Sequence, residues 1–223
     1  NYAQRSGRAG RSGQPALVFN YCSPGSPHDQ YFFRRPYLMV AGSVTPPRLD
    51  LTNHDLILSH IHAIWLSETG QTLGRTLADV LDVEGDPPSL ALKEAVRLGL
   101  ENPAAASRAR ERAERILATL GDALKGSDWH HENWLDDVFR DILWRFDQAA
   151  ERWRGLYRAA RSQAENQSKI ILDATRSHKE KEVAQRLRRE AEAQLRLLTS
   201  TDSIMQSDFY SYRYFASEGF LPG

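Results

Sequence analysis

A long run of apolar residues at helical spacing begins near residue 135 and limits the architectures open to this chain. The residues recur at steps of three and four, close to the heptad spacing of helices that pack side by side. A second run follows from Val183 to Leu198, and the pattern weakens near Ser177. We predict two long helices, or one helix broken near Ser177, within residues 127–200, packing as an antiparallel hairpin or against neighbouring helices. The positions of the first run are Leu135, Val138, Ile142, Phe146, Ala149, Trp153, Leu156 and Ala160.

Shorter helical patterns precede this region, within residues 53–126. Thr52 and Asp55 have the spacing of a capping box, and they stand before an apolar run that continues to about Ser67. Two further short helices are predicted before Pro103, which occupies a position where prolines commonly begin a helix. The sequence therefore predicts a mainly α fold for most of the chain.

Residues 4–11 read Q-R-S-G-R-A-G-R, with arginines at a spacing of three and glycines between them. Guanidinium groups are permanently charged forks that suit phosphate oxygens, and glycine lets the backbone approach a ligand closely. In helical geometry the arginines share one face. The pattern indicates a phosphate-binding segment, and the alternative is an arginine–glycine turn that binds nucleic acid or nothing. The apolar run at residues 16–22 that follows predicts a buried strand of a parallel sheet.

This octet resembles motif VI of the superfamily 2 (DExD/H-box) helicases, Q-R-x-G-R-x-G-R, at every fixed position. The resemblance implies that residues 1–27 end the second RecA-like α/β lobe of an enzyme that holds ATP and Mg²⁺ mainly through other parts of the protein. It further implies that Arg8 and Arg11 are catalytic arginine fingers, which stabilise charge on the γ-phosphoryl group, and that Arg5 supports the motif. The residues that it places at the ATP are Gln4, Gly7 and Gly10.

Two later segments resemble the large bacterial helicases of this superfamily, which include the DISARM anti-phage helicase DrmA and a group of DNA-repair helicases. D-Q-Y-x-x-R-x-P lies in residues 28–52, a linker out of the motor lobe by this resemblance. Y-F-A-S-E-G-F-L-P-G lies in residues 201–223, the entry to a C-terminal domain. Arg34 and Arg35 stand beside aromatic residues. We expect this group either to contact the phosphates and bases of a nucleic acid or to pack the linker onto the lobe.

The sequence thus predicts part of an ATP-dependent DNA helicase or translocase, in anti-phage defence of the DISARM type or in DNA repair. DNA is the expected substrate, and the long helices are expected to dock a protein partner of a defence complex. The chain begins with Asn1 and contains no Walker loop, so we expect a piece of a larger protein that is inactive alone. The alternative is a non-enzymatic helical scaffold that binds a partner protein or nucleic acid.

Charge is balanced over the chain, with 29 basic and 29 acidic residues, but it is unevenly distributed. Residues 1–50 and 151–198 are net basic and flank an acidic middle. The arginines of the second basic zone either follow a nucleic-acid backbone or form an outer face mixed with glutamates. They include Arg152, Arg154, Arg158, Arg161, Arg186, Arg188 and Arg189.

The remaining sequence features concern metal binding, the cellular compartment and membrane association. His60 and His62 are two residues apart in a predicted helix, and they therefore do not share a face for a metal ion; no metal site is predicted. The single cysteine, Cys22, favours a reducing, cytoplasmic compartment. No apolar run reaches the length that a membrane-spanning helix requires, so no membrane partner is expected.

Overall fold

The computed structural model describes residues 17–40, 50–200 and 210–223 of the chain. The chain divides into two compact units, residues 1–49 and residues 50–223. Each unit is described by itself below.

Helices make up most of the described chain, which confirms the prediction of a mainly α fold. Strand-like pairing within the described ranges is limited to isolated bridges, Leu81 with Leu92 and Gly85 with Pro88. The first unit contains α1 (Pro27–Phe33) and α2 (Pro36–Val40). The second unit contains α3 (His54–Thr69), α4 (Leu77–Val80), α5 (Glu94–Leu100), α6 (Pro103–Leu124), α7 (Trp134–Ala149), α8 (Glu151–Leu172), α9 (His178–Thr199) and α10 (Ser211–Ser217).

The strand predicted for residues 16–22 is wrong for the residues that the structure describes. Residues 17–22 form neither helix nor strand. Their apolar side chains face solvent, and Leu17, Phe19 and Tyr21 are 77%, 84% and 87% exposed. A strand is stable only when neighbouring strands satisfy its backbone and cover its faces, and the described part of this unit supplies no such neighbour. The assignment of residues 1–27 to a RecA-like lobe stays a prediction.

The first helix of the second unit, α3, begins where the sequence predicted, but with a different cap. The Asn53 side chain, not that of Thr52, accepts the backbone N–H of Leu56, at 3.0 Å. The Thr52 hydroxyl instead donates to the Asp50 carboxylate at 2.7 Å. The Thr52 capping box is therefore wrong, because asparagine caps a helix start as well as threonine does and stands one residue closer to the first turn.

The long helices α8 and α9 pack against each other as the predicted antiparallel hairpin. Ser177 caps α9: its hydroxyl accepts the Glu180 N–H at 3.3 Å, and the Glu180 carboxylate accepts the Ser177 N–H at 2.8 Å. This reciprocal cap fixes the beginning of α9 at His178. The buried residues of these two helices include the small side chains of Ala160, Ala184 and Ala191.

The apolar run from residue 135 to residue 160 forms two helices rather than one, since α7 ends at Ala149 and α8 begins at Glu151. The interruption shifts the buried face by one residue. Ala150 is fully buried in place of Ala149, and Tyr157 is 9% exposed whereas Leu156 is 43% exposed. The predicted heptad seam is thus wrong at Leu156, while Ala149 is partly buried against the core and the other positions are at most 8% exposed.

The core of the second unit is a cluster of aromatic side chains from α3, α7, α8 and the last described segment. Phe146 of α7 and Phe215 of α10 stack with ring centres 4.5 Å apart. The hydroxyl of Tyr214 accepts the backbone N–H of Trp153 at 2.9 Å, so α10 is also tied to α8 by a buried hydrogen bond. Gly219 has φ 74° and ends α10, because glycine adopts this left-handed conformation without strain. The chain then turns back, and Phe220 enters the core.

Candidate functional site

The residues of the octet lie outside the described part of the chain. Their roles in ATP hydrolysis therefore stay predictions. The residues concerned are Gln4, Arg5, Gly7, Arg8, Gly10 and Arg11.

The arginines predicted to contact nucleic acid lie where α1 ends. Arg34 donates its backbone N–H to the Gln30 carbonyl at 3.2 Å and closes the helix. Arg35 holds its guanidinium carbon 4.4 Å from the centre of the Tyr31 ring, within the range of a cation–π contact. Pro36 then begins α2. Both arginines thus lie in a tight bend, where the carbonyl end of α1 favours positive charge.

Some aromatic residues around this bend pack against neighbouring rings, and others are exposed to solvent. The Phe32 ring packs edge-on against His28 and Tyr31, with ring centres 4.9 Å and 5.2 Å apart. Phe33 and Tyr37 are 68% and 64% exposed, and the arginines are exposed as well. The lobe onto which the alternative interpretation packs these aromatics is not among the described residues, so both interpretations of this group stay predictions.

The acidic residue of α1, Asp29, does not oppose the two arginines. Its carboxylate accepts the backbone N–H of Ser23 at 3.0 Å and lies 3.4 Å from Nδ1 of His28. These contacts, the Ser23 hydrogen bond first, lower the pKa of Asp29. The negative charge is held at the beginning of α1, and Arg34 and Arg35 stand at its end. The bend therefore presents positive charge and aromatic rings together.

The basic stretch of residues 151–198 forms a surface of mixed charge. Arg161 on α8 pairs with Glu165 at 2.7 Å, and Arg188 on α9 pairs with Glu192 at 2.7 Å. Such pairs favour the interpretation of a solvated outer face over a continuous track for nucleic acid. Further pairs join Arg152 to Glu218, Arg158 to Glu151 and Arg186 to Glu190.

Arg154 departs from this pattern because its side chain is only 4% exposed. Its Nε donates to the Leu90 carbonyl at 2.8 Å, and its Nη1 donates to the Asp147 carbonyl at 2.9 Å. The carboxylates of Asp147 and Glu151 complete its ion pairs. The guanidinium joins α7, α8 and the loop before α5, which makes its role structural. Placing Arg154 on an exposed basic face was therefore wrong.

His60 and His62 of α3 have separate surroundings, as their two-residue spacing predicts. His60 is exposed, and its Nδ1 lies 2.7 Å from the Leu56 carbonyl within the helix. His62 faces the core. In the described ranges, no group of three or more histidine, cysteine, aspartate or glutamate side chains is arranged to hold a metal ion.

His62 is a buried, neutral histidine that the sequence did not distinguish from a packing residue. It is 2% exposed, its ring stacks 4.2 Å from the Phe220 ring, and its Nδ1 donates to the Phe220 carbonyl at 3.0 Å. Among the described residues, its Nε2 has no hydrogen-bond partner. Burial lowers the pKa of His62 to about 4, with a smaller contribution from Arg145, while the Phe220 carbonyl opposes the shift. A cavity of about 340 Å³ beside it also borders Glu218.

The buried His62 should make the second unit sensitive to acid. The unfolded chain binds a proton at His62 near pH 6.5 and the folded chain only near pH 4, so stability is complete above 6.5 and falls as the pH drops toward 4. We expect a loss of about 3 kcal/mol across this window. Urea unfolding at a series of pH values measures it. His62→Gln should remove this part of the loss, and His60→Gln should keep it; equal acid sensitivity in both variants would contradict the assignment.

An apolar groove of about 430 Å³ lies between α3 and α6. Leu56 and Ile116 line it and remain 37% and 43% exposed. Arg112 stands at its edge and pairs with Glu68 at 3.2 Å. Helical periodicity predicts the apolar faces of both helices, but it does not predict that the space between them stays open. A groove of this lining suits apolar side chains.

Comparison with known proteins gives one partial similarity. No protein-family model matches the chain, and no solved structure matches it. A stretch of 63 residues, 28% of the chain, is 40% identical to Druantia protein DruE from Escherichia coli (strain UMEA 4076-1). The match covers 3% of the length of that protein. The match therefore relates the chain to a small part of a Druantia protein.

None of the helices in the described ranges has the length and apolar composition that a membrane crossing requires.

Proposed function

We propose that this chain is part of an ATP-dependent DNA helicase or translocase that acts in anti-phage defence. The observation that carries the proposal is the sequence of residues 4–11, because arginines and glycines at this spacing are residue types that suit the binding of a triphosphate. In this proposal ATP supplies the γ-phosphoryl group and Mg²⁺ neutralises its charge. Arg8 and Arg11 stabilise that group, and Gln4, Gly7 and Gly10 lie against the nucleotide.

The similarity to Druantia protein DruE supports the defence part of the proposal. It is a similarity to a Druantia protein, so the narrower assignment to a DISARM system, and the alternative role in DNA repair, rest on the sequence resemblance alone. In the proposed enzyme the helical second unit is an accessory region. The hairpin of α8 and α9 and the groove between α3 and α6 offer surfaces to a protein partner of the defence complex.

The test of this function uses the complete protein that contains the chain. We expect it to hydrolyse ATP, to do so faster when DNA is added, and to protect cells that express it and its neighbouring genes from phage. ATP hydrolysis is followed by phosphate release, and protection by plaque counts. A protein that protects cells but hydrolyses no ATP with or without DNA would contradict the motor assignment.

The second candidate function is a non-enzymatic scaffold, and the apolar groove between α3 and α6 favours it. Leu56 and Ile116 leave apolar surface open there, which a docked partner would cover. A scaffold requires no nucleotide. Two results together would favour the scaffold over the motor. The wild-type protein would hydrolyse no ATP, and partner binding would be unchanged when Arg8 and Arg11 are both replaced.

A further inference from the structure

We propose that the bend between α1 and α2 is a binding site for single-stranded DNA, in which Phe33 and Tyr37 stack on bases and Arg34 and Arg35 contact phosphates. The choice of DNA rests on the proposed function. The position of the site rests on the geometry of residues 31–37.

The aromatic side chains are arranged as stacking platforms rather than as core. Phe33 and Tyr37 are 68% and 64% exposed and lie on either side of Pro36, which begins α2. Phe32, next to Phe33 in sequence, already packs against His28. The Phe32 and Tyr31 rings are therefore engaged in contacts within this segment, while the Phe33 and Tyr37 rings remain open. Every base has a flat face, so exposed rings bind bases with little dependence on sequence.

The charged groups of the bend suit the phosphates between such bases. Arg35 is held over the Tyr31 ring at 4.4 Å, which limits its motion and leaves its donors available. Within the described ranges, neither Arg34 nor Arg35 pairs with a carboxylate. The nearest acidic residue in sequence, Asp29, is bound to the backbone of Ser23. The positive charge of the bend is thus not neutralised by the residues of its unit that the structure describes.

The combination of exposed aromatic rings and arginines favours a single strand over a duplex. Bases in a duplex are stacked on each other and cannot lie on Phe33 or Tyr37, whereas the bases of a single strand can. A site made of arginines alone would bind both forms through their phosphates. The exposed rings are therefore the feature that selects the single strand.

The experiment measures binding of the complete protein to a fluorescein-labelled oligothymidylate and to a labelled duplex of equal length, by fluorescence anisotropy without ATP. Phe33→Ala with Tyr37→Ala should weaken binding to the single strand by about tenfold or more and leave duplex binding unchanged. Affinity for the single strand falls as salt rises, and Arg34→Gln with Arg35→Gln should make this fall less steep. The magnitude of the slope of log affinity against log salt should decrease by about 1.4. Trp144→Ala, which removes a 62% exposed ring from α7, is the matched control and should bind as the wild type does.

The outcomes separate this site from the proposed function. Loss of single-strand affinity in the aromatic variant supports the site, whether or not the protein hydrolyses ATP. Wild-type affinity in that variant overturns the site, even when DNA-stimulated ATPase is present. Equal loss for single strand and duplex also overturns it, because stacking would then play no part. Unchanged DNA binding with loss of a co-purifying protein would overturn it and make the bend a protein interface. Far-ultraviolet circular dichroism confirms that each variant retains its helices.

Discussion

Arg8→Ala or Arg11→Ala, introduced into the complete protein, is expected to lower DNA-stimulated ATP hydrolysis by about 10³–10⁵-fold. An arginine finger donates hydrogen bonds to the γ-phosphoryl group while its charge is being redistributed, so its loss raises the barrier to hydrolysis more than it weakens ATP binding. Steady-state hydrolysis and nucleotide affinity, measured on the same preparations, distinguish these two effects.

The controls for this prediction vary charge and geometry separately. Arg8→Lys keeps the positive charge but loses the planar fork of donors, so we expect most of the activity to be lost. Arg48→Ala removes a guanidinium of the same amino-terminal region outside the octet, and we expect near-normal hydrolysis. Wild-type turnover in both Arg8→Ala and Arg11→Ala would exclude the finger assignment, and an equal loss in Arg48→Ala would indicate an effect of net charge.

The helices could be predicted because the signals that begin and end them are local. Ser177 and Glu180 are three residues apart and cap each other, so the break between α8 and α9 is visible in the sequence. Gly219 comes just after Glu218, the C-cap of α10, and has the left-handed conformation that ends a helix. Each signal depends on neighbours in the chain and needs no tertiary contact.

The exact buried face was less predictable, because it depends on where a helix is interrupted. A heptad count passes from Phe146 to Ala149 and then to Leu156, whereas the interruption between α7 and α8 buries Ala150 and Tyr157. No proline or glycine marks this interruption in the sequence. The strand predicted for residues 16–22 failed for a related reason, since its burial depended on neighbours rather than on its own residues.

The buried polar residues could not be predicted, because their partners are far away in sequence. Arg154 bonds to the Leu90 carbonyl, which is 64 residues away, and His62 bonds to the Phe220 carbonyl, which is 158 residues away. By contrast, the group of Arg34, Arg35 and their aromatic neighbours is contiguous in the sequence. It could therefore be proposed from the sequence as a nucleic-acid site, and the structure adds which of its rings are exposed.

Phe220→Ala is expected to lower the free energy of unfolding of the second unit by about 3–5 kcal/mol. Phe220 is 4% exposed, and its ring lies 4.2 Å from the His62 ring and 5.4 Å from the Phe146 ring. Replacing it removes apolar contacts and leaves a cavity that the surrounding rings fill only in part. Urea unfolding followed by tryptophan fluorescence measures the change. Tyr212→Ala, which removes a 40% exposed ring of α10, should cost less than about 0.5 kcal/mol.

The same Phe220 substitution should also reduce the acid sensitivity caused by His62. The cavity left by the ring admits water to His62, and hydration favours the protonated imidazole, so its pKa should rise from about 4 toward 6.5. The difference between the folded and unfolded pKa values then shrinks, and with it the stability lost on acidification. Unfolding of Phe220→Ala at neutral and at mildly acidic pH tests this. A variant that is strongly destabilised but keeps the full acid-dependent loss would show that Phe220 packs the core without excluding water from His62.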